Sequence, residues 1–109
     1  MPPFQPGEVV VTAFPFPDKA GTKLRPALVL RDTGDNDLII ALISTSPARS
    51  VFDTTVADWQ QAGLAQQSIV RVDKLLTIAK TRLRGLVGSL TPRDWAQVRT
   101  RVKRLWASI

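Results

Sequence analysis

A chain of 109 residues with neither cysteine nor histidine has one modest core, no disulfide staples and none of the usual zinc ligands. Hydrophobic residues make up 44%, an ordinary globular share that excludes a disordered chain, and the longest apolar runs, such as Leu38 to Ile43, fall far short of the ~20 residues that span a bilayer. The net charge of +6 is uneven: residues 1–58 carry five basic and seven acidic side chains, and residues 59–109 carry ten basic and two acidic, Asp73 and Asp94. Such a basic half suits either a solvated surface or a polyanionic or acidic partner. The opening MPPFQPGE lacks the basic start and apolar core of a signal peptide. One cytoplasmic domain over residues 1–109, without a membrane segment, is expected.

In chain order, Gly7 opens a first strand over Glu8 to Phe14. The segment PFPDKAGTK (Pro15 to Lys23), with two prolines, a glycine and three charges, is a loop. Strands follow at Leu24 to Arg31 and Leu38 to Ser44, joined by the turn DTGDND, and Pro47 ends the second of these. Phe52 to Val56 suits another short strand, and Ala57 to Ala62 one helical turn closed by Gly63. Ile69 to Lys74, Leu76 to Lys80 and Leu83 to Leu90 complete a sheet, with Gly85 and Gly88 marking sharp curvature or a bulge. The final helix is the clearest element. Thr91 is its N-cap, Pro92 its first residue, and Asp94 completes a capping-box-like pattern. Trp95, Val98, Val102, Leu105 and Trp106 then recur at helical spacing. The pattern predicts a mainly β (α+β) fold: a small curved barrel with a C-terminal α-helix.

Polar side chains interrupt three of these strands. On a regular strand, Val70 and Val72 face the core while Arg71 and Asp73 emerge on the other face, roughly 6–7 Å apart. A carboxylate beside guanidinium groups is what RNA cleavage by its own 2′-hydroxyl needs, namely a base and positive charge on the phosphate. The same spacing equally serves a surface ion pair that steadies the strand. Arg25, held extended by Pro26, suits either a fork onto phosphate oxygens or a tie onto the preceding loop. Ser44, Thr45 and Ser46, just before Pro47, suit either substrate contact or the capping of a turn.

Taken together, GEVVV (Gly7 to Val11), the loop, LRPALVL (Leu24 to Leu30) and DWQQAGL (Asp58 to Leu64) resemble the MazF/PemK family of bacterial toxin–antitoxin ribonucleases, and a PemK-like branch most of all. The resemblance runs from about Gly7 to Leu105. It implies an SH3-like barrel of the PemK/CcdB kind, assembled as a homodimer. The activity it implies is a cofactor-free, metal-independent and sequence-selective endoribonuclease, cutting single-stranded mRNA to 2′,3′-cyclic phosphate and 5′-hydroxyl ends. An acidic antitoxin would hold it in check and carry the complex to operator DNA. By residue, the resemblance implies Arg25 with Ser44 (Thr45 adjacent) as one catalytic pair, and Arg71 with Asp73 as acid and base. Because arginine does not normally deprotonate in proteins, Arg25 and Arg71 are better read as stabilising the phosphorane. Lys19, Lys23, Ser46, Arg49, Lys74 and Lys80 form the expected RNA-binding set. Two departures stand out. Ser44 lies where threonine is commoner, and the first loop lacks the histidine some members carry, leaving Lys19 or Lys23 as the nearest cations. Two other readings share the fold: a CcdB-like gyrase inhibitor using the tail Trp106 to Ile109, and a member that only binds RNA or its antitoxin.

Overall fold

Alternating apolar residues and a capped amphipathic helix become six antiparallel strands and one C-terminal helix in the computed structural model, which describes residues 3–13 and 24–109. The strands are β1 (Glu8–Ala13), β2 (Leu24–Asp32), β3 (Asp37–Ser44), β4 (Asp53–Thr55), β5 (Ile69–Ala79) and β6 (Leu83–Ser89), and the helix is α1 (Pro92–Ala107). Their order in the sheet is β4-β5-β3-β2-β1-β6. Among the described residues, no helix is long and apolar enough to cross a membrane.

The pleat sends alternate side chains to opposite faces, and each face has its own core. Val9, Leu28, Ala41, Ile43, Val70 and Val72 form one cluster, onto which α1 lays Trp95, Val98, Val102 and Leu105. Val10, Ala27, Val29, Leu38, Ile40 and Ile78 form the other, packed by Phe4, Leu42, Leu76 and Leu83. Register shifts interrupt the β1–β6, β2–β3 and β3–β5 pairings, and each lets the sheet bend. In β6 the two shifts fall beside Gly88 and Gly85, the positions at which curvature is expected. Gly88 is needed for another reason as well: a Cβ there would run into the Ala62 carbonyl, where the turn after β4 crosses β6.

Three details differ from the sequence expectation. The two strands expected over 69–74 and 76–80 are one strand, β5, because its partner β3 runs past both halves. Trp106 is 68% exposed rather than on the apolar face, since Leu105 takes the inward position in the last turn. Asp94 does not complete a capping box. Thr91 Oγ accepts the Asp94 N–H at 3.5 Å, but the Asp94 carboxylate, 3% exposed, accepts the backbone N–H groups of Ala57 (3.1 Å) and Asp58 (2.8 Å). Thr91 in turn donates to Asp58 at 2.6 Å, and Arg93 pairs with the same carboxylate at 2.6 Å. These two donors, the Thr91 hydroxyl first, hold the Asp58 carboxyl below its ordinary pKa. The 57–64 turn and the start of α1 are thus locked to each other.

Candidate active site

Register fixes which polar side chains meet. In β3, Ile40 and Leu42 belong to the second core face, so Ser44 continues that face at the strand's end. In β2, Ala27 and Val29 belong to the same face, so Arg25 lies on it too. Ala27 pairs with Leu42, and Arg25 and Ser44 each lie two residues beyond that pair, toward the same end of the sheet. Leu42 also pairs with Arg71 of β5, and Arg71 pairs with Asp53 of β4. Arg25, Ser44, Arg71 and Asp53 therefore form a polar end to an otherwise apolar face. Arg25 is half-buried and engaged by its surroundings.

Val70 and Val72 both face the first core, as expected, while Arg71 and Asp73 differ in burial and in partner. Leu42 pairs with Arg71 but Ala41 pairs with Leu75, so Val72, Asp73 and Lys74 are looped out opposite β3. Arg71 is buried (8% exposed) and its Nη1 donates to Asp53 Oδ2 at 3.1 Å, while Nη2 lies 3.5 Å from the Pro47 carbonyl. Asp73 is left with a different partner, Arg49 Nη2 at 3.0 Å. The result is an ion-pair cluster of Arg49, Asp73, Arg71 and Asp53, bound together further by the Arg49 N–H on Asp53 Oδ2 at 2.7 Å.

That cluster secures the loop after β3. Ser44 Oγ accepts the Ser46 N–H at 3.0 Å, closing the turn, so the capping role open to these hydroxyls is filled by Ser44. Beyond it, Thr45, Ser46, Pro47 and Ala48 face Thr55, Gln67 and Ser68 across a cavity of about 260 Å³. The walls are rich in hydroxyl and amide groups, suited to hydrogen bonding with a flat polar group such as a nucleobase edge.

The remaining expected residues divide. Arg49 and Lys74 lie at this end of β5, Arg49 in the ion-pair cluster and Lys74 exposed in the looped segment. Lys80 does not join them. It pairs with Asp32 at 2.9 Å beyond the far end of β5, about 20 Å from the Arg71 end as measured along the paired segment from Leu42 to Asn36. Lys19 and Lys23 lie outside the described residues. Sequence reasoning missed Asp53, because only the β4–β5 register reveals that it faces Arg71. Among the described residues, no three His, Cys, Asp or Glu side chains gather in a group that could hold a metal ion.

The sequence profile of PemK-like, MazF-like toxins of type II toxin–antitoxin systems matches residues 5–106. Solved structures with the same fold include the Mycobacterium tuberculosis toxin MazF-mt6, 20% identical with a TM-score of 0.76 over 94% of this chain and 97% of that one. MazF from Deinococcus radiodurans is 18% identical with a TM-score of 0.74 over 98% and 99%. An endoribonuclease in complex with its cognate antitoxin, from a mycobacterial species, is 15% identical with a TM-score of 0.74 over 94% and 93%. At these identities the likeness is one of fold. No curated protein matches the chain significantly.

Proposed function

This chain belongs to the PemK-like, MazF-like toxins of type II toxin–antitoxin systems, and we propose that it is a metal-independent endoribonuclease cutting single-stranded mRNA. The observation that supports the reading is the ion-pair cluster of Arg71, Asp53, Arg49 and Asp73 beside a polar cavity, at the end of the sheet toward which Arg25 and Ser44 also lie. In the proposed reaction Asp73 takes the proton of the 2′-hydroxyl, and the 2′-oxygen attacks the adjacent phosphorus. Arg25 and Arg71 balance the charge of the phosphorane, with the Ser44 hydroxyl beside them. The bond to the 5′-oxygen breaks, leaving a 2′,3′-cyclic phosphate, and solvent protonates the departing 5′-oxygen. Thr45 and Ser46 hold a neighbouring base in the cavity, and Arg49 and Lys74 attract the backbone. Without histidine or cysteine, the chain offers this chemistry carboxylate, hydroxyl, guanidinium and ammonium groups.

The test is incubation of the purified protein with a long single-stranded RNA, with and without EDTA. Cleavage that survives EDTA supports the reading, and an uncut RNA would favour a gyrase inhibitor or a pure RNA or antitoxin binder. Two copies related by a two-fold axis would build the RNA groove jointly. A disordered acidic antitoxin tail would gain from the cations along α1, where Arg93, Arg99, Lys103 and Arg104 are exposed. The expected assembly is a homodimer, inhibited by an acidic neighbour near one-to-one and less tightly in high salt. A monomer by light scattering that still cuts at nanomolar concentration would contradict the shared groove.

A further inference from the structure

We propose that Asp53 is the positioning residue of this site, holding the Arg71 guanidinium and the 45–49 loop in the attitude from which they meet a scissile phosphate. The proposal rests on the ribonuclease reading and adds a residue to it. Asp53 belongs to a strand of three residues, and its side chain is wholly buried at 0% exposure. One oxygen, Oδ2, accepts both Arg71 Nη1 at 3.1 Å and the Arg49 N–H at 2.7 Å. The other, Oδ1, has no hydrogen-bond partner among the described residues.

Stability alone is a poor account of such a group. A buried ion pair often contributes less than apolar side chains of the same volume, and an unsatisfied carboxylate oxygen adds to the desolvation cost. What the carboxylate does supply is orientation. Arg71 has a long, flexible stem and a planar fork of donors, and a partner fixed on β4 sets the direction of that fork. The same Asp53 oxygen anchors Arg49, whose side chain reaches Asp73, so one carboxylate is linked to the proposed base as well as to the charge stabiliser. The loop between is held at Pro47 by Arg71 itself. If Asp53 lets go, Arg71, the loop and the Arg49–Asp73 pair lose a shared anchor, while RNA can still collect on the exposed cations.

Kinetics on a short single-stranded RNA carrying a mapped cut site test this with the full chain. Asp53→Asn keeps the shape and weakens the hold. It is expected to lower kcat about ten- to a hundredfold while changing KM less than about threefold. Placed on Arg71→Met, the same substitution is expected to lower kcat several-fold less than in the wild-type background, because only the Arg49 anchor is left to lose. Equal losses in both backgrounds, or no loss in the first, overturn the positioning role and leave the ribonuclease reading standing. A wild-type protein that leaves RNA uncut overturns both together. Nitrogen-15 spectra of the wild-type protein keep the proposal testable even if Asp53→Asn does not fold. A resolved, slowly rotating Arg71 guanidinium is expected, and a freely averaging one overturns the proposal.

Discussion

Asp73 lies in the looped-out segment of β5, 25% exposed, with the Arg49 guanidinium 3.0 Å away. As the proposed base it should be the most sensitive carboxylate to replace. Asp73→Asn and Arg25→Ala are each expected to lower the cleavage rate by at least about 10²-fold with folding intact, measured on one RNA and checked by circular dichroism. Wild-type cutting by Asp73→Asn would make Asp73 structural. The two hydroxyls separate by role. Ser44 shares the face of Arg25, so Ser44→Ala should lower kcat, whereas Thr45 lines the cavity, so Thr45→Ala should mainly raise KM. These residues are legible in the sequence as strand-end polar groups, and the R-P pair marks the strand. Their partners are not. Nothing local indicates that three extra residues part Arg71 from Leu75, or that a three-residue strand delivers Asp53 to Arg71.

At the scale of elements, single carboxylates join pieces that are far apart in sequence. Asp94 binds the N–H groups of Ala57 and Asp58 from the first turn of α1. Asp94→Ala removes both acceptors, and it is expected to lower the unfolding free energy by about 1–3 kcal/mol in a denaturant titration. Asp32 closes the β2–β3 turn and reaches beyond it, accepting from Lys80 Nζ (2.9 Å), Gly34 N–H (2.9 Å) and Phe4 N–H (2.8 Å). These contacts, Lys80 foremost, hold its pKa down to about 2. A depressed carboxylate stabilises fully above its unfolded pKa of about 4, and this contribution fades as pH falls through the folded value. Asp32→Asn should therefore be less stable than wild type at pH 5, with the gap closing as pH approaches 2. A gap that stays constant over this range would contradict the assignment. The strands and the helix themselves follow from periodicity and caps, which are local signals. Asp94 was readable as a first-turn acid, but its use on another element depends on where the 57–64 turn lands. The bend in β5 hides a single strand for the same reason, because continuity there is set by β3.

Across the whole molecule, the mainly β fold with its helix was legible, and the strand order was not. β6 joins β1 across most of the chain, a pairing that no short window of sequence contains. That order matters for the site, because only with β5 between β4 and β3 does Arg71 lie opposite both Asp53 and Leu42, two residues from Ser44 at the end of β3. The basic second half fits the same picture, with α1 carrying exposed cations on the side away from its packed residues. In the proposed reaction Asp73, Arg71, Arg25 and Ser44 cut RNA through the substrate's own 2′-oxygen. The ends of the products test it most directly, with one RNA digested in EDTA and both fragments at a mapped cut analysed by mass. A 2′,3′-cyclic phosphate on the upstream fragment and a 5′-hydroxyl on the downstream one are expected. Fragments with 5′-phosphates, or cleavage that stops until magnesium is restored, would contradict it.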